Sequence, residues 1–291
     1  MAMSKLEAIT FLNDVLDIST SSLRSGEPSL DLLNLIIKRF QHVIPFQSVS
    51  CCAVPPNQRR LPSWSDIKHD LLEKRGGLCY VIHVFMKELL SAVGYDAFYA
   101  SADWKDADDH IGLVVQDMTG LGSKHLVEVA SAFPVFQAIP LDFETESPEY
   151  VFSYLRQKFV RTTNGAVSWY HEMPPFSGCK TTSDGNWYKC LTIYVNTPRD
   201  LSFFEPRLTK WFTVEENNPF LRAPRAVKFD DGKLVAIKDK LLLEGSDRQV
   251  MKEQISNLQQ LLQKYNDLFP QFPRHLIEDA VKYSFSSSYP S

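Results

Sequence analysis

The spacing of apolar positions changes along this chain, and the changes divide it. From Ser4 to Gly94 the spacing is helical. Ser4 can cap a first helix with Leu6, Ile9, Leu12, Val15 and Leu16 inward, ending near the Ser/Thr cluster at 19–22. Ser29 can cap a second, with Leu30, Leu33, Ile37 and Phe40 inward, which stops before Pro45 because a residue preceding proline avoids helical dihedrals. A proline-rich connection over 54–62 leads to a third helix, Ser63 to Arg75. Ser63 or Ser65 caps it, Ile67, Leu71 and Leu72 form its apolar face, and Lys74 and Arg75 suit the negative end of its dipole. Gly76 ends it. A fourth run carries Ile82, Phe85, Met86, Leu89, Leu90 and Val93 and stops at Gly94.

From Tyr95 the period becomes that of strands: Tyr95 to Ala100, His110 to Val115, and His125 to Val129, with turns such as Met118-Thr119-Gly120 between them. Further strands are expected at Ala166 to His171 and Tyr188 to Val195, whereas Tyr150 to Phe159 is too mixed to assign. Short strands at close spacing point to a barrel or a strongly twisted sheet. Beyond Pro198, a helix is expected over Ser202 to Trp211, a hairpin at Asp230-Asp231-Gly232, an amphipathic helix from Asp247 to Leu268, and a frayed tail from Ser284 to Ser291. The resulting fold class is α+β in three parts: a helical bundle over 1–94, an antiparallel β-barrel over 95–197 and an α/β lid over 198–291.

Composition adds exclusions. With 44% hydrophobic residues in 291, the chain can bury a sizeable core. Its 31 basic and 35 acidic residues are dispersed and give a net charge of −4, which argues against nucleic acid or an anionic membrane as partner. No run is long enough to span a bilayer and no secretory leader is visible. The five cysteines are odd in number and lack paired metal-ligand spacing, the adjacent Cys51 and Cys52 included. That pattern fits reduced thiols in the cytoplasm, and no metal site is expected.

The candidate chemistry lies in Arg75-Gly76-Gly77-Leu78-Cys79. Cys79 falls in the first turn of the fourth helix, where free N–H groups and the positive end of the dipole favour a thiolate. The glycines let a substrate carbonyl approach the backbone. A lone cysteine is also often a small apolar filler, so the reading needs a partner. A nucleophilic thiol requires a base, and the base requires a group that orients it. His110 opens a strand directly after a polar loop, so its ring can sit at a rim. Glu128 interrupts an apolar strand and is costly to bury unless paired. Each has a plainer reading, His110 as a loop residue and Glu128 as a carboxylate tied to an arginine. His83, one helical turn after Cys79, is a rival base.

These residues carry a likeness. The RGGxC segment ending at Cys79, the HxxLxV strand from His110 and a following strand bearing an acid resemble the arylamine N-acetyltransferase family. His42 to Phe46 and Asn218-Pro219-Phe220 extend the resemblance over nearly the whole chain. It implies a bundle, barrel and lid with a cysteine-protease-like core: Cys79 as acyl-accepting nucleophile, His110 as base and Glu128 as orienting acid. It also implies that Phe46, Ala130 and Ser131 line the substrate pocket and that Arg75, Gly76 and Gly77 support the nucleophile. Four departures stand out. Glu128 replaces the usual aspartate; Ala130-Ser131-Ala132 replaces a glycine-rich turn; His83 replaces an asparagine; and Gln47 replaces a glutamate that pairs with the RGG arginine, although an amide can still bond Arg75.

The implied activity is transfer of an acyl group, acetyl by expectation, from acyl-CoA through an acyl-cysteine to an arylamine, arylhydrazine or similar amine, as in xenobiotic metabolism. Acyl-CoA is then a co-substrate and no cofactor is permanently bound. Two alternatives stay open. One is an amide-forming acyltransferase of secondary metabolism using a longer acyl-CoA or an acyl carrier protein thioester, and the other is a thiol hydrolase.

Overall fold

The computed structural model describes residues 2–19, 28–172, 187–214, 218–247 and 249–284. Ser4 caps α1 (Lys5–Thr10) through a reciprocal pair of bonds: its hydroxyl accepts the Glu7 N–H at 3.2 Å and the Glu7 carboxylate accepts the Ser4 N–H at 2.8 Å. The helix then widens into one π turn, Phe11–Val15. That extra residue per turn rotates the inner face. Ala8, Phe11, Leu12, Val15 and Leu16 are buried, while Leu6, expected inside, is 74% exposed. Ser29 caps α2 (Leu30–Val43), which buries Leu33, Ile36, Ile37 and Phe40.

Pro45 ends α2 as expected, and the chain passes through the two-residue strand β1 (Phe46–Gln47), α3 (Val49–Cys52) and a 3-10 turn (Pro56–Gln58). Ser63 caps α4 (Trp64–Leu72) with Asp66 returning the bond. This helix is shorter than its apolar spacing predicts. It ends at Leu72, which is half exposed, because Lys74 and Gly76 take left-handed dihedrals. α5 (Cys79–Ala92) follows and is apolar nearly all round, which fits a helix surrounded by others. Its Phe85 ring packs 4.7 Å from Phe11, tying α5 to the N-terminal turn.

Eight antiparallel strands come next: β2 (Ala97–Asp103), β3 (His110–Gln116), β4 (Lys124–Val127), β5 (Ile139–Pro140), β6 (Tyr150–Phe152), β7 (Leu155–Arg161), β8 (Val167–Glu172) and β9 (Trp187–Arg199). Their spatial order is β5-β4-β3-β2-β9-β8-β7-β6, an open sheet whose edge strands β5 and β6 are not neighbours. Where a barrel was expected, ladder pairing among the described residues does not close the sheet. The stretch left unassigned, 150–159, supplies β6 and most of β7. One face buries Val114, Leu126, Phe159, Trp169 and Ile193 together.

The remaining elements are α6 (Leu201–Thr213), α7 (Pro219–Arg222), β10 (Arg225–Asp230), β11 (Lys233–Lys238), β12 (Leu241–Ser246), β13 (Gln249–Gln254), α8 (Leu258–Leu268) and α9 (Arg274–Tyr283). The expected hairpin joins β10 to β11, with Asp231 and Gly232 both at positive φ. The helix expected from Asp247 begins instead at Leu258, where Asn257 caps it. Residues 249–254 form an edge strand along β12, whose Leu241–Leu243 run offers a better partner than a solvated helix face. Of the expected frayed tail, only Ser284 lies among the described residues. The five-stranded sheet runs β1-β10-β11-β12-β13, so a strand from the N-terminal third is built into the C-terminal layer. Val49 and Cys52 of α3 share a core with Ile255, Tyr265 and Ile277. Among the described residues no helix is long and apolar enough to cross a membrane.

Candidate active site

Two glycines hold the turn before Cys79 because nothing larger fits. Gly76 has a φ of +72°, and a side-chain carbon there would lie 1.9 Å from the Pro45 carbonyl oxygen. One at Gly77 would lie 2.6 Å from the Val81 side chain. The turn is laced to β1: the Gly77 N–H donates to Pro45 O at 3.4 Å and the Gln47 N–H donates to Gly77 O at 3.0 Å. Behind it, the Arg75 N–H donates to Asp70 O at 2.7 Å, and the Arg75 guanidinium lies 3.2 Å from His69 Nε2 and 3.8 Å from the Asp70 carboxylate. The expected Arg75–Gln47 bond is not made. Gln47 turns to Ser50, accepting its N–H at 3.0 Å and donating to its hydroxyl at 2.9 Å, which leaves the arginine to α4.

Cys79 is the first residue of α5 and is partly exposed. Leu78 ahead of it supplies no side-chain acceptor, so the first-turn N–H groups are left for another oxygen. His110 is the first residue of β3, opposite Ala102 of β2. The polar loop before it is folded by Asp109, a residue the sequence reading passed over. Its buried carboxylate accepts the N–H groups of Trp104, Lys105 and Asp106 at 2.7, 3.0 and 3.0 Å. An aspartate at the end of a polar loop is the available signal, since its oxygens can satisfy several backbone donors at once.

Glu128 lies one residue past β4 rather than inside a strand, and this frees its longer side chain to turn inward. It is fully buried. The extra methylene, relative to the aspartate that the resemblance implies, does not prevent contact: Glu128 Oε2 accepts from His110 Nε2 at 3.0 Å, and Oε1 accepts the Ala130 N–H at 3.1 Å. The Cys79 side chain is among the groups that act on the His110 ring. With Nε2 engaged by the carboxylate, Nδ1 is the ring nitrogen left for another partner.

Burial opposes charge on the His110 ring, but the Glu128 carboxylate, its bond to the ring and the Cys79 side chain outweigh it and hold the ring's pKa well above the ordinary value. Burial likewise pushes Glu128 upward, yet the facing His83 and His110 rings and the bonds from His110 and the Ala130 N–H bring it below its usual range. The arrangement therefore favours an imidazolium beside a carboxylate. His83, the rival base, has both ring nitrogens engaged by other groups. Its Nδ1 lies 2.5 Å from Ile111 O and its Nε2 3.7 Å from Glu128 Oε1. Ligand-type atoms of His83, His110 and Glu128 lie within 4.8 Å of one another, but hydrogen bonds already engage each of the three.

Of the expected pocket residues, Phe46 is half-buried on β1 and meets Phe220 edge-on at 5.6 Å. Trp211 and Trp104 join that aromatic group, each 5.9 Å from Phe220. Ala130 is committed through its N–H to Glu128, and the Ser131 hydroxyl donates to Phe133 O at 3.4 Å. A cavity of about 720 Å³ borders Gly77 and Leu78 on the α4 side, lined also by Gln47, Arg59, His69 and Asp70.

A family model described as N-acetyltransferase matches residues 29–269. This chain belongs to the arylamine N-acetyltransferase family. Solved arylamine N-acetyltransferases share its mixed α/β fold. That of Mycobacterium marinum, solved in complex with CoA, superposes with a TM-score of 0.75 at 16% identity, covering 95% of this chain and 100% of the other. The Mycobacterium abscessus enzyme gives 0.73 at 15% identity, covering 94% of each chain. The Nocardia farcinica enzyme gives 0.72 at 16%, covering 93% and 94%. No curated protein sequence matches the chain. At such low identity the superpositions establish the fold, and family membership establishes an acetyltransferase.

Proposed function

We propose that this acetyltransferase works through an acyl-cysteine on Cys79, with His110 as its base and Glu128 as the acid that orients it, and that it transfers acetyl from acetyl-CoA to an arylamine or arylhydrazine. The observation that carries this reading is the bond from the His110 ring to buried Glu128, with the Cys79 side chain among the groups that sustain that ring's charge. The CoA held by the Mycobacterium marinum enzyme supports CoA as the donor's carrier.

In the first half-reaction the Cys79 sulfur, its proton passed to His110, attacks the thioester carbonyl. First-turn N–H groups of α5 face the developing oxyanion. The carbon–sulfur bond to CoA breaks, and the departing thiolate takes the proton from His110. In the second half-reaction the amine nitrogen attacks the acyl-cysteine, its proton goes to His110, and the Cys79 thiolate leaves. A weakly basic aromatic amine suits this step because its lone pair is free at neutral pH. Glu128 keeps the imidazole oriented and supports its charge in both steps. Phe46 is the pocket residue best placed for an aromatic acceptor, on the strand bonded to Gly77. The free thiols at Cys51, Cys52, Cys79 and Cys190 support a reducing compartment, which we take to be the cytoplasm.

Intact-mass measurement after incubation with a panel of acyl-CoAs tests the reading. An accepted donor leaves its acyl mass on the wild-type protein, the mass maps to Cys79, and an aromatic amine discharges it. A Cys79→Ser variant with full transfer activity, or an adduct that water discharges as fast as any amine, overturns it.

A further inference from the structure

His83 is fully buried on α5, one turn beyond Cys79, and its ring touches all three segments that carry the Cys79–His110–Glu128 chain. Its Nδ1 lies 2.5 Å from the carbonyl oxygen of Ile111, next to His110 in β3. Its Nε2 accepts the N–H of Val129, next to Glu128, at 3.4 Å. A carbonyl oxygen can only accept, so Nδ1 carries a hydrogen. A nitrogen that accepts an N–H must keep its lone pair, so Nε2 carries none. Together the two bonds select the neutral Nδ1–H tautomer.

The groups facing this ring are Glu128, with Oε1 3.7 Å from Nε2, and His110, whose ring stands edge-on at 5.8 Å between centroids. Burial holds the ring neutral and the charge on His110 adds to that effect, against the pull of Glu128 and the Ile111 carbonyl. A lone pair on Nε2 gives Glu128 Oε1 no hydrogen to bind. Oε1 therefore takes the Ala130 N–H and leaves Oε2 for His110.

We infer that His83, fixed as the Nδ1–H tautomer, is a positioning residue: it bolts the Cys79 helix to β3 and to the Glu128–Val129 turn, and keeps the Glu128 carboxylate aimed at His110. This deepens the reading of the Cys79 site given above. It also explains how a histidine serves where the family has an asparagine. An asparagine amide offers two N–H donors and a carbonyl acceptor, which include the donor and acceptor that this tautomer presents to Ile111 and Val129.

The test uses the rate of Cys79 alkylation by iodoacetamide from about pH 5 to about pH 9, resolved by peptide mass spectrometry and free of any acyl donor or acceptor. His83→Asn is expected to stay within about threefold of wild type with the same pH profile. His83→Leu fills the space but offers neither bond, so its rate at neutral pH falls about tenfold or more and its acidic limb moves up by about one pH unit, as His110 loses support for its charge. Ring-nitrogen NMR of the wild-type protein should show His83 with hydrogen on Nδ1 alone. A wild-type rate and profile in His83→Leu, an Asn variant as impaired as the Leu variant, or a spectrum with hydrogen on Nε2 overturns the inference. Should His83→Leu fail to fold, the spectrum and the Asn variant decide. Because alkylation needs no acyl-CoA, a protein that no donor labels loses the acyl-transfer reading while its alkylation profile still decides the role of His83.

Discussion

Cys190 and Cys79 carry the same side chain in opposite settings. Cys190 sits within β9, buried among sheet residues, where desolvation and the nearby Glu128 charge push its thiol far up. Cys79 begins a helix, is partly exposed, and acts on an imidazole whose charge the same Glu128 sustains. One carboxylate thus suppresses ionisation at the first thiol and supports charge on the His110 ring. What separates them is position within an element: Cys190 is buried at an irregularity of the β8–β9 ladder inside the sheet, whereas a residue at a helix start has free donors and room for a partner.

The contrast is sharpest in the expected loss of activity. Cys79→Ala should leave no acyl adduct by intact mass and lower amine acetylation by about a thousandfold or more, whereas Cys190→Ala should hold activity within about twofold. Glu128→Gln keeps the shape but removes the charge that His110 depends on, so kcat/KM in a steady-state assay should fall about a hundredfold or more. Gly76→Ala places a Cβ against the Pro45 carbonyl at a positive φ. Chemical denaturation should show a loss of about 3 kcal/mol, with activity falling as the turn shifts.

A smaller effect concerns pH and stability. The folded state raises His110 above its ordinary 6.5, so this group's stabilisation is complete below 6.5 and is lost as pH rises through the folded value. The folded state lowers Glu128 below 4.5, so its stabilisation is present above 4.5 and is lost as pH falls through the folded value. Denaturation midpoints should therefore peak between 4.5 and 6.5 and decline on the alkaline side, and Glu128→Gln should flatten both flanks. The smallest effect belongs to the surface. Leu6→Gln, at the residue a π turn rotates outward, should change stability by no more than about 0.5 kcal/mol.

How legible the molecule was in its sequence depended on how local each signal is. Ser4, Ser29 and Ser63 announced helix starts because a cap is settled within a few residues. The turn before Cys79 is legible for the same reason, since two glycines before an apolar helix have few other uses. Strand 249–254 departs from the expected helix because its period is ambiguous and the deciding partner, β12, is set by sheet pairing. The Arg75–Gln47 contact failed on a similar point: Gln47 found a nearer partner in Ser50. Glu128 is flagged by its cost of burial and Asp109 by its place at the end of a polar loop, whereas the bonds of His83 reach backbone groups far along the chain, which residue type alone does not disclose.

The two residues of β1 have a mechanical consequence. Phe46 pairs with Val227 on one side and bridges Gly77 on the other, so a continuous run of backbone bonds joins the C-terminal sheet to the residues just ahead of Cys79. That sheet cannot swing clear of Cys79 without tearing this seam, so a cross-link from β10 to α2 should leave turnover intact.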